Sequence, residues 1–230
     1  MLKLKPIIIL FLLCLMSHNN VLLSQNPRGL LNLVQAKLNK ANDYKADIRI
    51  SVDLPYIRFM PLSTKLYFKK KDKFKIATKS IAILPKQGFM QLSGLVTDTN
   101  SYAAIFQNDE MLNNVNTTLL NLIPTNDTSD VILAKLWIDT KNQIIVKSLV
   151  TTKSSGTIKT EYIYGSQIAY GLPDVIKFSV DVKKFNIPKA LAADINTSTS
   201  KKVEKKSGEI VVSLKKYEIN KGIPDSIFKD

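Results

Sequence analysis

Ala46-Asp47-Ile48-Arg49-Ile50-Ser51-Val52-Asp53-Leu54 alternates apolar and polar side chains without interruption. A strand turns successive side chains to opposite faces, so the five apolar residues share one face and Asp47, Arg49, Ser51 and Asp53 the other. Such a one-sided strand predicts an antiparallel sheet with a single packed face. Working outward, Leu66 and Phe68 alternate with Lys65, Tyr67 and Lys69; after Lys70-Lys71-Asp72, Phe74 and Ile76 repeat the pattern, which predicts a hairpin. Further on, a three-strand meander is expected from about Leu133. Leu136 and Ile138 lead into the turn Asp139-Thr140-Lys141-Asn142, Ile144 to Val150 form the next strand, and Lys153-Ser154-Ser155-Gly156 turns the chain into Ile158 to Tyr164. Ile176, Phe178, Val180 and Val182 alternate with polar residues, as do Ile210, Val212 and Leu214. Upstream, Leu30, Leu31, Val34, Leu38 and Ala41 recur at helical spacing behind Pro27, which predicts one amphipathic helix. The fold class expected is α+β, mostly antiparallel sheet.

The first 25 residues have a different character. Lys3 and Lys5 precede the apolar run Pro6 to Met16, and polar Ser17-His18-Asn19-Asn20 follows. That order is the grammar of a cleavable signal peptide, and the run is too short to cross a bilayer about 30 Å thick at 1.5 Å per residue. Residues 1–25 are therefore expected to be removed, leaving 26–230 as one exported domain. The sole cysteine, Cys14, and the sole histidine, His18, leave with that segment. Disulfides, thiol or imidazole catalysis and the usual zinc sites are excluded from the exported chain, and no cofactor is expected.

The 230-residue chain carries 33 basic and 19 acidic side chains; losing Lys3 and Lys5 lowers its net charge from +14 to +12. In an exported protein such charge suits an anionic membrane surface better than nucleic acid. An enzyme would have to work with carboxylates, hydroxyls and lysines, yet Asp47, Asp53 and Asp181 alternate on strands and Asp72, Asp98 and Asp139 sit at turns. They read as solvated surface acids, not a paired catalytic set. Nor is there a glycine-rich phosphate cradle, so the protein is expected not to be an enzyme. Two connectors are unusually greasy: Pro55 to Pro61, with Tyr56, Ile57, Phe59 and Met60, and Gly88 to Leu95, with Phe89, Met90 and Leu92. They read either as covers for the ends of the core or as a lid or docking surface. The polar stretch from Asn196 to Gly208 reads as a mobile loop.

Leu136-Trp137-Ile138-Asp139, the strand Ile144 to Ser148, Gly156 and Glu161-Tyr162-Ile163-Tyr164 together resemble the central meander of LolA-like outer-membrane lipoprotein carriers. The helix, strand and lysine-rich hairpin between residues 28 and 77 match that family's opening elements in order. The ending Tyr217 to Asp225 and Gln25 at the expected cleavage site resemble its Bacteroidetes-type members. The resemblance implies an incomplete β-barrel with covering helices around a hydrophobic cavity. Its cargo would be the acyl chains of lipoproteins or lipids, carried across the periplasm as a monomer from an inner-membrane donor to an outer-membrane acceptor. Ile48, Ile50, Val52, Leu66, Phe68, Phe74, Ile76, Ile176, Phe178 and Val180 would line the cavity, with Tyr56, Ile57, Phe59, Met60, Lys70, Phe89, Met90 and Leu92 at a lid or partner contact. Proteobacterial carriers have Lys-Arg-Pro where this chain has Lys69-Lys70-Lys71, and their arginine latches the lid. Lys70 stands at the latch position and lacks the planar fork of arginine. A protein-binding sensor or scaffold on the same fold is the alternative reading.

Overall fold

Alternation of apolar and polar residues is realised as one antiparallel sheet. The computed structural model describes residues 26–54, 57–58, 60–70, 73–77, 100–154, 156–181 and 207–229. Among them are a single α-helix, α1 (Pro27–Leu38), and the strands β1 (Asp43–Leu54), β2 (Ile57–Arg58), β3 (Leu62–Lys69), β4 (Lys73–Ile76), β5 (Tyr102–Leu112) and β6 (Val115–Pro124). The rest are β7 (Val131–Asp139), β8 (Ile144–Thr152), β9 (Gly156–Ile163), β10 (Val175–Asp181) and β11 (Ser207–Ile219). Ten of them run in the order β4-β3-β1-β11-β10-β9-β8-β7-β6-β5, with β2 pairing on β1 beside that path. The sheet does not close, and β4 and β5 are its two ends.

Register explains how one face becomes continuous. Directly opposed residues on antiparallel neighbours share a face. Val52 opposes Ile210, which opposes Phe178, then Thr160, Ser148, Leu136, Leu120 and Phe106. This single row crosses eight strands on one side of the sheet. A second row runs Leu62, Ile50, Val212, Ile176, Tyr162. Even-numbered residues thus point inward through most of the molecule.

Asn26 caps α1, its side-chain oxygen accepting from the Gly29 N–H at 2.9 Å, and Pro27 sits at the first helical position where a missing N–H costs nothing. The helix stops at Leu38, earlier than the periodicity to Asn42 predicts, because Ala41 and Asn42 already lead into β1. Leu30, Leu31 and Val34 pack with Leu120, Leu122, Ala134, Leu136, Ile138, Ile145 and Val150 into one buried cluster over β6, β7 and β8. A second cluster, built on Ala46, Ile48, Ile50, Leu66, Ile76, Ile158, Ile176, Phe178, Ile210, Val212 and Leu214, occupies the other half of the inner face.

β5 and β6 are not anticipated by the sequence reading. They form a hairpin whose turn residues, Asn113 and Asn114, both have positive φ, the pattern of a tight two-residue hairpin. Thr117 and Thr118, part of a glycan-acceptor-like tripeptide, are buried within β6.

Candidate ligand-binding face

The inner face is divided by a polar seam. Ser148 and Thr160, the middle pair of the eight-strand row, are both buried, and the Ser148 hydroxyl lies 3.4 Å from that of Tyr162. On the β5 to β8 side of this seam the sheet is covered by α1. On the β4 to β10 side α1 makes no part of the cluster. Tyr162 packs against both halves and joins them.

Nine of the ten expected cavity residues fall on the half of the face that α1 leaves aside. Ile48, Ile50, Leu66, Ile76, Ile176 and Phe178 belong to its buried cluster, and Val52, Phe68 and Phe74 pack against it. Val180 opposes Gly208 in register, and its side chain lies outside the described residues. The buried members are at most 6% exposed, so this half is closed rather than an open hollow. Sequence reasoning did not name Ala46, Leu62, Ile158, Tyr162, Ile210, Val212 or Leu214 as lining, although the parity of Ile210, Val212 and Leu214 was already visible.

A tyrosine cluster stiffens one end of the face. The Tyr44 ring stacks on Phe68 with centroids 4.9 Å apart and tilts against Tyr217 at 5.8 Å. Tyr217 donates to the Pro173 carbonyl at 2.6 Å, and Tyr164 to the Ile145 carbonyl at 2.7 Å. Burial pushes the Tyr162 hydroxyl up to about 12 and raises those of Tyr44, Tyr164 and Tyr217 as well, so all four hold their protons well into alkali.

Of the expected lid residues, Ile57, Met60 and Lys70 are described. Tyr56, Phe59, Phe89, Met90 and Leu92 lie outside the described residues. Ile57 pairs through its backbone with Leu54 in the short strand β2, so part of the Pro55 to Pro61 connector is strand rather than loop. Met60 is 92% exposed. Lys70 donates its ammonium to the Asn39 carbonyl at 2.7 Å, and its backbone N–H donates to Asn42. The latch position therefore holds the C-terminal end of α1, where a cation suits the exposed carbonyls.

Two aspartates depart from the solvated reading. Asp139 is buried and accepts from the Asn142 N–H and amide, closing the β7–β8 turn. Asp43 is buried and accepts from the N–H groups of Lys221 and Gly222 at 3.1 Å each, tying the C-terminal segment to β1. Both serve the backbone. Among the described residues no group of three or more acidic, His or Cys side chains is placed to hold a metal ion.

No protein-family model matches the chain, and no curated protein sequence matches it. Solved structures do. A protein of the DUF1329 family from Desulfovibrio piger superposes with a TM-score of 0.56 at 10% identity, over 88% of this chain and 97% of that one. A domain described as outer membrane lipoprotein-sorting, from Vibrio parahaemolyticus, gives 0.52 at 10% identity over 88% and 97%. A LolA superfamily protein from Nitrosomonas europaea gives 0.51 at 10% identity over 89% and 97%. At such identity the likeness is one of fold: this chain has the LolA-like incomplete barrel with a covering helix.

Proposed function

We propose that the protein is a periplasmic carrier that takes acyl chains of lipoproteins or lipids onto the inner face of its open sheet and hands them from the inner membrane toward the outer one. Residues 1–25 serve as the export signal, and 26–230 form one lipid-binding domain that works as a monomer without cofactor or catalysis. The observation that carries this reading is the division of the inner face. A largely apolar half, from Phe74 and Leu66 across to Phe178, shares a sheet with the half that α1 covers. The LolA-like fold supports it, since a protein described as lipoprotein-sorting has the same architecture.

Because this half is closed, a guest must part side chains that now touch one another. Burying a chain of about sixteen carbons returns roughly 13 kcal/mol gross at about 0.8 kcal/mol per methylene. Opening therefore has to cost only a modest fraction of that for the affinity to stay useful, and no more than the acceptor can recover. Native mass spectrometry of the protein from its own cells should show acyl-bearing adducts, and a fluorescent fatty acid should bind in competition with them. Protein that is repeatedly empty and takes up no probe defeats the proposal. Met60, which projects into solvent beside β2, favours one secondary role, a partner contact at Tyr56 to Met60. Met60→Ser should then weaken transfer to an acceptor while leaving probe uptake unchanged.

A further inference from the structure

The outer face of β3, β1 and β11 gathers a group of side chains that cargo binding does not use. Register sets Arg49 between Ser63 and Ser213, and Asp47 between Lys65 and Lys215. Where β11 shifts register against β1 between Lys45 and Asp47, Lys216 takes a left-handed backbone, φ 51°, and its ammonium comes within 3.4 Å of Asp47. Lys65 reaches the same carboxylate at 2.8 Å. Together with Thr64 and Ile48 these residues line an open depression in which four cations, Arg49, Lys65, Lys215 and Lys216, face one carboxylate.

The cations are not all committed. Lys65 and Lys216 share Asp47, whereas the Arg49 guanidinium and the Lys215 ammonium make no hydrogen bond or ion pair among the described residues. No side-chain hydrogen bond joins the hydroxyls of Ser63 and Ser213, on either side of Arg49, to another group among the described residues. Unspent donors around a forked guanidinium suit a phosphate oxygen set. Lys177 lies on the same outer face, one strand beyond β11, with Glu161 opposite it on β9.

We propose that this depression docks the protein on an anionic phospholipid surface by receiving phosphodiester headgroups. A lone small anion in so open a place would meet two free cations and much water. A bilayer presents many headgroups at once and engages the whole charged face, in a chain whose net charge is +14, or +12 without residues 1–25. The inference does not depend on the cargo reading, because Arg49, Lys65 and Lys215 alternate with the inner-face residues and stand on the opposite face of the sheet.

Sedimentation of the protein, purified from its own cells, with phosphatidylglycerol-containing and with pure phosphatidylcholine vesicles tests it. Binding should need phosphatidylglycerol. The double change Arg49→Glu with Lys215→Glu should raise the lipid concentration for half-binding at least tenfold, and Lys135→Glu with Lys141→Glu, an equal change of charge far from β11, less than threefold. Circular dichroism confirms that both variants fold, and fatty-acid uptake should be the same in both. Equal losses in the two doubles, equal binding to phosphatidylcholine, or no binding at all would overturn the proposal. So would displacement by inorganic phosphate well beyond that by chloride at matched ionic strength, which would mark a site for the free anion.

Discussion

Single side chains here have consequences that follow from what they touch. Phe178 is fully buried at the centre of the inner face, opposed by Ile210 and Thr160. Phe178→Ala removes most of a ring from a packed site and should cost about 3–5 kcal/mol, read from a urea titration. Gly208 shows the opposite constraint: a Cβ there would collide with the Leu54 side chain and meet the Asp53 carbonyl at 3.1 Å, so Gly208→Val should destabilise although it adds apolar area. Asp225 is exposed between Lys69 and Lys73, whose hydrogen bonds hold its carboxyl at about 2. A carboxyl depressed on folding stabilises above its unfolded pKa and loses that contribution as pH falls through the folded one. Wild type should therefore exceed Asp225→Asn slightly in stability at pH 7, and the difference should vanish as pH falls from about 4 to about 2. The tyrosines work in the other direction. Burial raises the Tyr162 hydroxyl to about 12 and raises its three companions too, so the protonated form is favoured in the fold. Their contribution is complete below the unfolded value of about 10 and is lost above it. Tyrosinate absorbance should then rise together with unfolding in alkali, and a free titration near pH 10 of these four in the folded protein would contradict their burial.

Among the elements, α1 is where sequence and structure can be compared most closely. Its proline and its three buried residues were legible because each acts within a turn or two of chain. Lys70 is different. Its bond to the Asn39 carbonyl joins the β3–β4 turn to the end of α1 and depends on a tertiary approach that no local pattern announces. Lys70→Ala should increase amide exchange at the C-terminal end of α1 and at the start of β1, with a change in global stability of under about 1 kcal/mol. Unchanged exchange there would mean the contact holds nothing. The β5–β6 hairpin escaped the sequence reading for a related reason. β5 is an end strand with Ile105, Phe106 and Met111 all partly exposed, and between Phe106 and Asn108 its register shifts against β6, which reverses the sense of its alternation. Asn113-Asn114 was a readable turn signal. The strands on either side of it did not alternate cleanly enough to use it.

Across the whole molecule, the face carrying the ten expected positions was legible because the side-chain period of a strand is two and the shifts in register are few, so parity alone nearly sorts inside from outside. The location of the polar seam was not, because Ser148 and Thr160 look like any strand hydroxyls until the register sets them opposite each other. Nor could alternation say which half α1 would cover, since that depends on how the sheet bends. This arrangement sets the terms of the last prediction. A guest that binds the folded chain and not the unfolded one adds RT ln(1 + [L]/Kd) to stability, about 2.7 kcal/mol at a hundred times Kd. For a domain of this size that corresponds to a rise in melting temperature of roughly 5–11 °C. Phe68 and Phe74 oppose each other at the β3–β4 end of the half that α1 leaves aside and are only partly buried, so Phe68→Ser with Phe74→Ser should lower the unliganded melting temperature modestly. The same pair should remove most of the rise caused by a saturating fatty acid, because it takes greasy surface from the half-face where the chain is held. Exposed Ile132, changed to Ser in parallel, should leave the rise intact. If both variants keep the full rise, the acyl chain sits elsewhere and the half-face is ordinary core.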